Sequence, residues 1–178
     1  EELLYDIHNG FFHSRYDCEE DESVLQIIPY VLLFGSHGTV FSYVRAEHID
    51  DYGDSRLFGK HSLGVGGHII PSDGPHYLET CITRELEEEV TLSCSGSPRL
   101  VGTMFATKNP VDRVHFGLIY TLHVDGTIQP KEASLISGKI ISLRELSNDA
   151  NIEKKYEAWS QYLIHSLDTL SDQEKTLS

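Results

Sequence analysis

Apolar positions fall in blocks whose spacing changes along the chain. Residues 24–34 are almost continuously apolar, and the core of that run, Ile27 to Phe34, contains a proline, Pro29. Bounded by the turn signal Gly35-Ser36-His37-Gly38, it reads as a buried strand, and the β-branched and aromatic residues of 39–45 complete a hairpin. Residues 62–70 carry Gly64, Gly66 and Gly67 and form the end of another strand, followed by a loop over 71–75. From 77 to 92, Leu78, Ile82, Leu86 and Val90 recur at four-residue steps, which predicts a helix with one apolar arc. Residues 100–107 and 114–124 read as strands. In the second, Val114, Phe116, Leu118, Tyr120, Leu122 and Val124 alternate with His115, Gly117, Ile119, Thr121 and His123. A short strand over 138–143 and a helix over 153–170, packed through Tyr156, Trp159, Leu163, Leu167 and Leu170, close the pattern. Strands with one helix in the middle and one at the end predict an α/β (α+β) sandwich with a mixed sheet.

Composition refines this outline. With 178 residues, 39% of them hydrophobic, the chain can bury one sizeable core, so a single domain is expected over 24–170, with an N-terminal extension over 1–23 and a tail over 171–178. The extension mixes aromatics with the acids Asp17, Glu19, Glu20, Asp21 and Glu22 and shows no clear period. The longest apolar run falls far short of the roughly 20 residues of a membrane-spanning helix. No basic segment followed by an apolar one opens the chain, and Glu at position 1 reads as a native start lying upstream. Acids outnumber bases 28 to 14, a formal charge of −14 that repels long nucleic acids and anionic membranes. A phosphate substrate would therefore need local cations. Three irregularly spaced cysteines, Cys18, Cys81 and Cys94, fit reduced thiols and a cytoplasmic location better than a disulfide framework. The sequence leaves the oligomeric state open and is compatible with a homodimer.

Chemistry concentrates on the middle helix. Glu85, Glu88 and Glu89 are spaced by three and four residues, so their carboxylates share an arc that overlaps the apolar side, while Glu87 points the other way. Carboxylates drawn partly out of water near one another either take up protons or bind a hard cation, with magnesium the first candidate. The plainer alternative is an acidic face turned to solvent.

The segment before the helix bears on that choice. Gly66-Gly67-His68-Ile69 followed by Arg84-Glu85-Leu86-Glu87-Glu88-Glu89 resembles the Nudix hydrolase box, whose pattern is Gly, five residues, Glu, seven residues, then Arg-Glu-aliphatic-any-Glu-Glu-any-Gly-aliphatic. Arg84, Glu85, Leu86, Glu88, Glu89 and Leu92 occupy its positions. Counting back from Arg84 puts His76 where the box has its first glutamate, with Glu79 one turn nearer as a stand-in; Thr91 replaces the late glycine, and the loop after Gly67 is three residues longer than the pattern. Gly59-Lys60-His61-Ser62-Leu63-Gly64 and Val114-His115-Phe116-Gly117 look like a MutT-type predicted phosphoesterase subgroup.

The resemblance implies a Nudix-like α/β/α sandwich that hydrolyses a nucleoside diphosphate derivative or similar pyrophosphate with Mg2+ or Mn2+. Carried over by position, Glu85, Glu88 and Glu89 bind metal with the Gly67 carbonyl, and Arg84 holds a glutamate of the cluster through charge-assisted hydrogen bonds. The general base is either Glu89 or a later acid, for which Glu132 is the outside candidate; Glu132 also reads as an ordinary loop acid. Arg45, Arg56 and Lys60, the few cations near the glycine strand, are candidates for substrate binding, with plain surface pairing as the alternative. His61, His68 and His115 could bond phosphate or metal, although each alone is more often a satisfied strand histidine. The absence of HxH and HExxH patterns argues against a zinc enzyme. The departures at His76 and Thr91 motivate a rival expectation, a nucleotide sensor that keeps the fold without turnover. An isoprenoid diphosphate isomerase of the same fold would need a cleft cysteine, whereas Cys81 falls on the packing side of the helix.

Overall fold

The computed structural model describes residues 2–45, 59–93, 96–131 and 135–167. The hairpin forms as expected from β1 (Gln26–Gly35) and β2 (Thr39–Arg45), but the two strands pair only at their tips, Phe34 opposite Val40 and Gly35 opposite Thr39. Below the tips they part. There β4 (Gly64–Gly66) lies antiparallel on residues 30–32 of β1, and β3 (His61–Ser62) pairs with the end of β2. The approach of β4 is close enough that a Cβ at Gly66 would collide with the Pro29 carbonyl, so this position requires glycine.

On its other edge β1 runs parallel to β7 (His115–His123) in unbroken register from Gln26 opposite His115 to Phe34 opposite His123. β6 (Arg99–Met104) pairs antiparallel with β7, and β9 (Leu135–Ser142) with β2, which completes a seven-stranded mixed sheet. A second, two-stranded sheet joins β5 (Val90–Leu92) to β8 (Ile128–Pro130).

Both faces of the main sheet are covered, which explains why β1 is apolar throughout instead of alternating. Ile28, Tyr30, Leu32 and Phe34 enter one core with Ile119, Leu143, Leu146, Trp159 and Leu163. Val31 and Leu33 enter the opposite core with Phe41, Val65, Leu122 and Ile82. Ile82 belongs to α3 (Tyr77–Glu89), the helix on that face. The first core is closed by α5 (Leu143–Ser147), α6 (Ile152–Lys155) and α7 (Ala158–Ile164). The layers are therefore helix, sheet, helix in a single domain.

Several boundaries move from those expected. The helix begun at Tyr77 stops at Glu89, because the β-branched Val90 and Thr91 pair with Pro130 and Gln129 in the small sheet. The strand expected over 138–143 starts at Leu135 and ends at Ser142, whose hydroxyl accepts from the Glu145 N–H and caps α5. The strand expected over 100–107 ends at Met104, and the one over 62–70 ends at Gly66. The extension, read as aperiodic, holds two short helices, α1 (Glu2–His8) and α2 (Arg15–Glu20). A four-residue helix, α4 (Pro110–Arg113), precedes β7.

The single terminal helix expected over 153–170 is instead broken at Tyr156 and Glu157, both in extended conformation. Glu157 is the reason. Its buried carboxylate accepts from the backbone N–H groups of Trp159 (2.7 Å) and Ser160 (3.0 Å), capping α7, and from the Tyr30 hydroxyl at 2.9 Å, bolting that helix to β1. The Ser160 hydroxyl donates to the same carboxylate. Trp159 then packs edge to face on Tyr30, ring centroids 5.6 Å apart, as core and not as a stacking platform. Replacing Glu157 by Ala removes a cap and strands the Tyr30 hydroxyl, so a loss of about 2 kcal/mol or more is expected in urea denaturation. A change under 0.5 kcal/mol would show that the cap contributes little.

Candidate functional site

The site is assembled where the end of β4, the turn after it and α3 converge. After Gly67 the chain extends through His68 to Ile70 and enters a 3-10 turn, Pro71–His76, kinked at Gly74 with φ 73°. Asp73 lies in that turn, buried, and its carboxylate accepts from the Ile70 N–H at 2.9 Å. The Arg84 guanidinium meets the same carboxylate with both prongs: Nε donates to Oδ1 at 2.9 Å and Nη2 to Oδ2 at 3.1 Å. Its remaining donors reach the His68 carbonyl at 3.0 Å and Glu85 Oε1 at 2.6 Å, and Nη1 lies 3.5 Å from Glu88 Oε2. One side chain thus ties the turn, the strand end and the helix together.

Asp73 is the residue the sequence reading missed. Counted back from Arg84, the box's first glutamate fell on His76; the structure puts an acid on Arg84 at Asp73, which follows Gly67 after five intervening residues as the forward count requires, with the three extra residues inserted between Asp73 and Arg84. His76 is exposed at the start of α3, and Glu79, offered as a stand-in, is exposed too. Counting forward from the glycine would have found the acid. Thr91, in the place of the late glycine, belongs to β5. Neither departure falls on Arg84 or on one of its partners.

Gly67 and Glu85 are pressed together: a Cβ at Gly67 would lie 2.6 Å from Glu85 Cδ. Glu85 is thus packed against the Gly67 backbone, and Cys81 Sγ, one turn earlier on the helix, approaches the Gly67 main-chain oxygen at 3.8 Å. Glu85 is 13% exposed and Glu88 50%, so the edge grades from sheltered to open. Glu89 is half-buried at the end of the helix, within electrostatic reach of Arg45 and Tyr43. Three carboxylates, those of Asp73, Glu85 and Glu88, thus converge on the guanidinium of Arg84, whose best geometry is already given to Asp73, and Glu89 follows at the end of the same helix. A hard divalent cation with oxygen ligands fits this donor set. A groove of about 790 Å³ lined by Thr80, Thr83, Arg84, Glu87, Glu88 and Lys131 runs along the open side of α3.

The other expected residues divide. Arg45 stays near Glu89, with its Nε donating to Ser62 at 3.0 Å and its guanidinium over the Tyr43 ring. Lys60 does not reach the acidic edge through its hydrogen bond: its ammonium donates to the Lys154 carbonyl at 2.6 Å and ties the approach to β3 onto α6. The cation beside α3 is instead Lys131, which donates to the Glu87 carbonyl at 2.7 Å because the pairing of β8 with β5 brings it there. His115 is buried at the start of β7, with Nδ1 2.7 Å from the Val111 carbonyl and Nε2 3.1 Å from His68 Nε2. Arg56 and Glu132 lie outside the described residues.

Electrostatics follow the geometry. The Arg84 hydrogen bonds hold the Asp73 carboxyl below its ordinary value of 3.8, against the opposing effect of burial. Burial pushes the Cys81 thiol up to about 12, helped by Glu85, so it is a packed thiol and no nucleophile. Burial lowers His68 to about 3, leaving a neutral ring at pH 7.

A sandwich with a glycine-closed strand leading to an acidic helix edge defines a Nudix-type fold, and comparison with known proteins agrees. The chain belongs to the Nudix superfamily. It is 34% identical over 162 residues to Protein YmaB of Bacillus subtilis (strain 168), covering 86% of this chain and 76% of that one. The solved structure of Tm1382, a protein assigned to the Nudix hydrolases, superposes with a TM-score of 0.74 at 27% identity over 93% of this chain and 85% of that one. The Nudix domain of Shewanella oneidensis NrtR, solved with ADP ribose, shares the fold with a TM-score of 0.62 at 15% identity, over 93% of this chain and all of that one. No family model matches the chain. Among the described residues no helix is long and apolar enough to cross a membrane.

The Arg84–Asp73 pair yields a pH-dependent expectation. Because the folded-state pKa of Asp73 is lowered, the stability it contributes is full above 3.8 and is lost as pH falls through the folded value. Asp73→Asn should cost about 3 kcal/mol at pH 7, since it leaves a partly buried guanidinium without its main partner. In urea melts the gap between wild type and variant should hold from pH 7 to about 5 and narrow only below 3.8. A gap independent of pH would mean that the charge of Asp73 is immaterial.

Proposed function

We propose that this chain is a divalent-metal-dependent pyrophosphohydrolase that cleaves the diphosphate linkage of a nucleoside diphosphate derivative or a similar small pyrophosphate in the cytoplasm. The observation that carries the reading is the convergence of Glu85 and Glu88 on a guanidinium already committed to Asp73, with Glu85 packed against Gly67. Mg2+ or Mn2+ would be held by the Gly67 oxygen, Glu85, Glu88 and Glu89. Bound there, such an ion would neutralise charge on phosphate oxygens and lower the pKa of water so that it gives up a proton near neutral pH. Likeness to Nudix hydrolases supports hydrolysis of the pyrophosphate type, and the ADP ribose bound by the NrtR domain makes nucleoside diphosphate sugars the first substrates to try.

The chain's own residues supply positioning. Arg84 fixes Glu85 at 2.6 Å and, by its grip on Asp73 and the His68 carbonyl, sets the strand end that presents the Gly67 oxygen. Glu89, sheltered from bulk water and close in the field of Arg45, is the box candidate for accepting a proton from the attacking water; Glu132 is the candidate outside the box. Arg45 and Lys131 are the cations proposed to meet substrate phosphates. Arg56 stays a candidate for substrate binding, whereas His115 is buried with its ring nitrogens at the Val111 carbonyl and His68.

Hydrolysis of a panel of nucleoside diphosphate sugars, dinucleoside polyphosphates and nucleoside triphosphates, with and without Mg2+, tests the reading. Glu88→Gln should reduce kcat by about 100-fold or more with an unchanged urea midpoint, the scale expected when catalytic electrostatics are removed. Gly67→Ala should weaken activation by Mg2+, because the new methyl displaces Glu85. Full turnover in Glu88→Gln would remove that carboxylate from the chemistry. Binding of substrates with no product from wild type would favour a sensor.

A further inference from the structure

Outside the acidic edge, three residues from distant parts of the chain converge where no spacing motif would reveal them. Glu19 comes from α2 of the extension, His68 from the segment after Gly67, and His115 from the start of β7; one ligand atom of each lies within 4.8 Å of the others. His68 Nε2 and His115 Nε2 are 3.1 Å apart, and Glu19 Oε1 is 3.8 Å from the latter. Two imidazole nitrogens on a tetrahedral zinc ion, each at about 2.0–2.1 Å, stand about 3.3 Å from one another. The spacing already matches.

The surroundings suit a metal ligand as well. His115 Nδ1 is 2.7 Å from the Val111 carbonyl, to which its N–H donates, so the tautomer that leaves Nε2 as a lone-pair donor is the one selected. The Gln26 side-chain amide, opposite His115 in the β1–β7 register, lies 3.4 Å from that Nε2 and by turning over offers its oxygen as a fourth donor. Glu19 also pairs with Arg15 at 3.6 Å, an exposed contact that a metal would outcompete.

A second, independent observation says what such an ion would do. The extension docks with little apolar burial: α2 buries none of its residues, and Tyr5, Phe11 and Tyr16 are 70%, 74% and 79% exposed. What fastens it is polar, namely His8 to the Tyr77 hydroxyl at 3.0 Å and Arg113 to Glu22 at 2.6 Å. We infer that Glu19, His68 and His115 form a zinc site that staples the N-terminal extension to the domain beside the acidic edge. Two imidazoles and one carboxylate favour Zn2+ over Mg2+, which prefers all-oxygen surroundings.

The test uses metal-stripped full chain titrated with Zn2+ against a chromophoric chelator, and with Co2+ as a spectroscopic probe, both in excess Mg2+ to occupy the carboxylates. One tight Zn2+ equivalent is expected, together with intense visible Co2+ bands of a four-coordinate nitrogen and oxygen site. His115→Ala and Glu19→Ala should each weaken binding at least about tenfold, the least loss seen even for outer partners of a metal ligand. Glu19→Ala is a surface change and guards against a folding defect in the buried variant. Glu88→Gln should leave Zn2+ affinity and the Co2+ spectrum unaltered, and hydrogen exchange of residues 15–25 should slow on adding Zn2+ in wild type only. Equal Zn2+ binding in wild type, His115→Ala and Glu19→Ala, or binding lost in Glu88→Gln alone, overturns the site. Because none of these readouts is turnover, an inactive hydrolase that binds zinc would refute only the proposed activity.

Discussion

The guanidinium of Arg84 is the interaction on which the rest of the site depends. It gives a bidentate pair to buried Asp73, a hydrogen bond to the His68 carbonyl and another to Glu85. Each partner belongs to a different piece of chain: the turn, the strand end and the helix. Taking one cation partly out of water is tolerable because every prong finds an oxygen, and the carboxylate it grips most closely is also held by a backbone N–H. Through its bonds to Glu85 and the His68 carbonyl, Arg84 also holds the helix against the strand end at Gly67.

Behind that contact stands a sheet buried on both faces. β1 sends Ile28, Tyr30, Leu32 and Phe34 one way and Val31 and Leu33 the other, so the helix bearing the acids and the helices closing the far core are fixed to one rigid layer. Glu157 couples the far side to the same strand by accepting from Tyr30 while capping α7. The acidic edge is thus built from side chains whose backbones cannot easily shift, which suits a site that must hold charge without rearranging.

Charge gives the domain its character. A surplus of acids across the chain and three carboxylates around one guanidinium would repel a phosphate compound. The proposed divalent ion would reverse the sign locally, with Arg45 in the field of Glu89 and Lys131 lining the groove along α3. Zinc at Glu19, His68 and His115 would lie next door through a single residue, His68, whose carbonyl serves Arg84 and whose ring faces the extension. The two sites share a backbone segment but not a ligand chemistry: oxygens on one side, imidazoles on the other.

Local patterns were enough to identify the sheet strands, the middle helix, the box residues Arg84, Glu85, Glu88 and Glu89, and the family they resemble, because period, glycine placement and fixed helical spacing act within a few residues. The count back from Arg84 passed over Asp73 because three residues are inserted between them; the count forward from Gly67 reaches it, but only the fold shows that it pairs with Arg84. Nor could local patterns show that Lys60 turns to α6 while Lys131 comes to α3, or that Glu157 splits the last helix, for these follow from strand pairing and from a buried hydroxyl in need of an acceptor. The meeting of Glu19, His68 and His115 is the extreme case. Residues nearly a hundred positions apart are brought within ligand distance by the parallel register of β1 and β7 and by the docking of α2, and only the folded chain makes that choice.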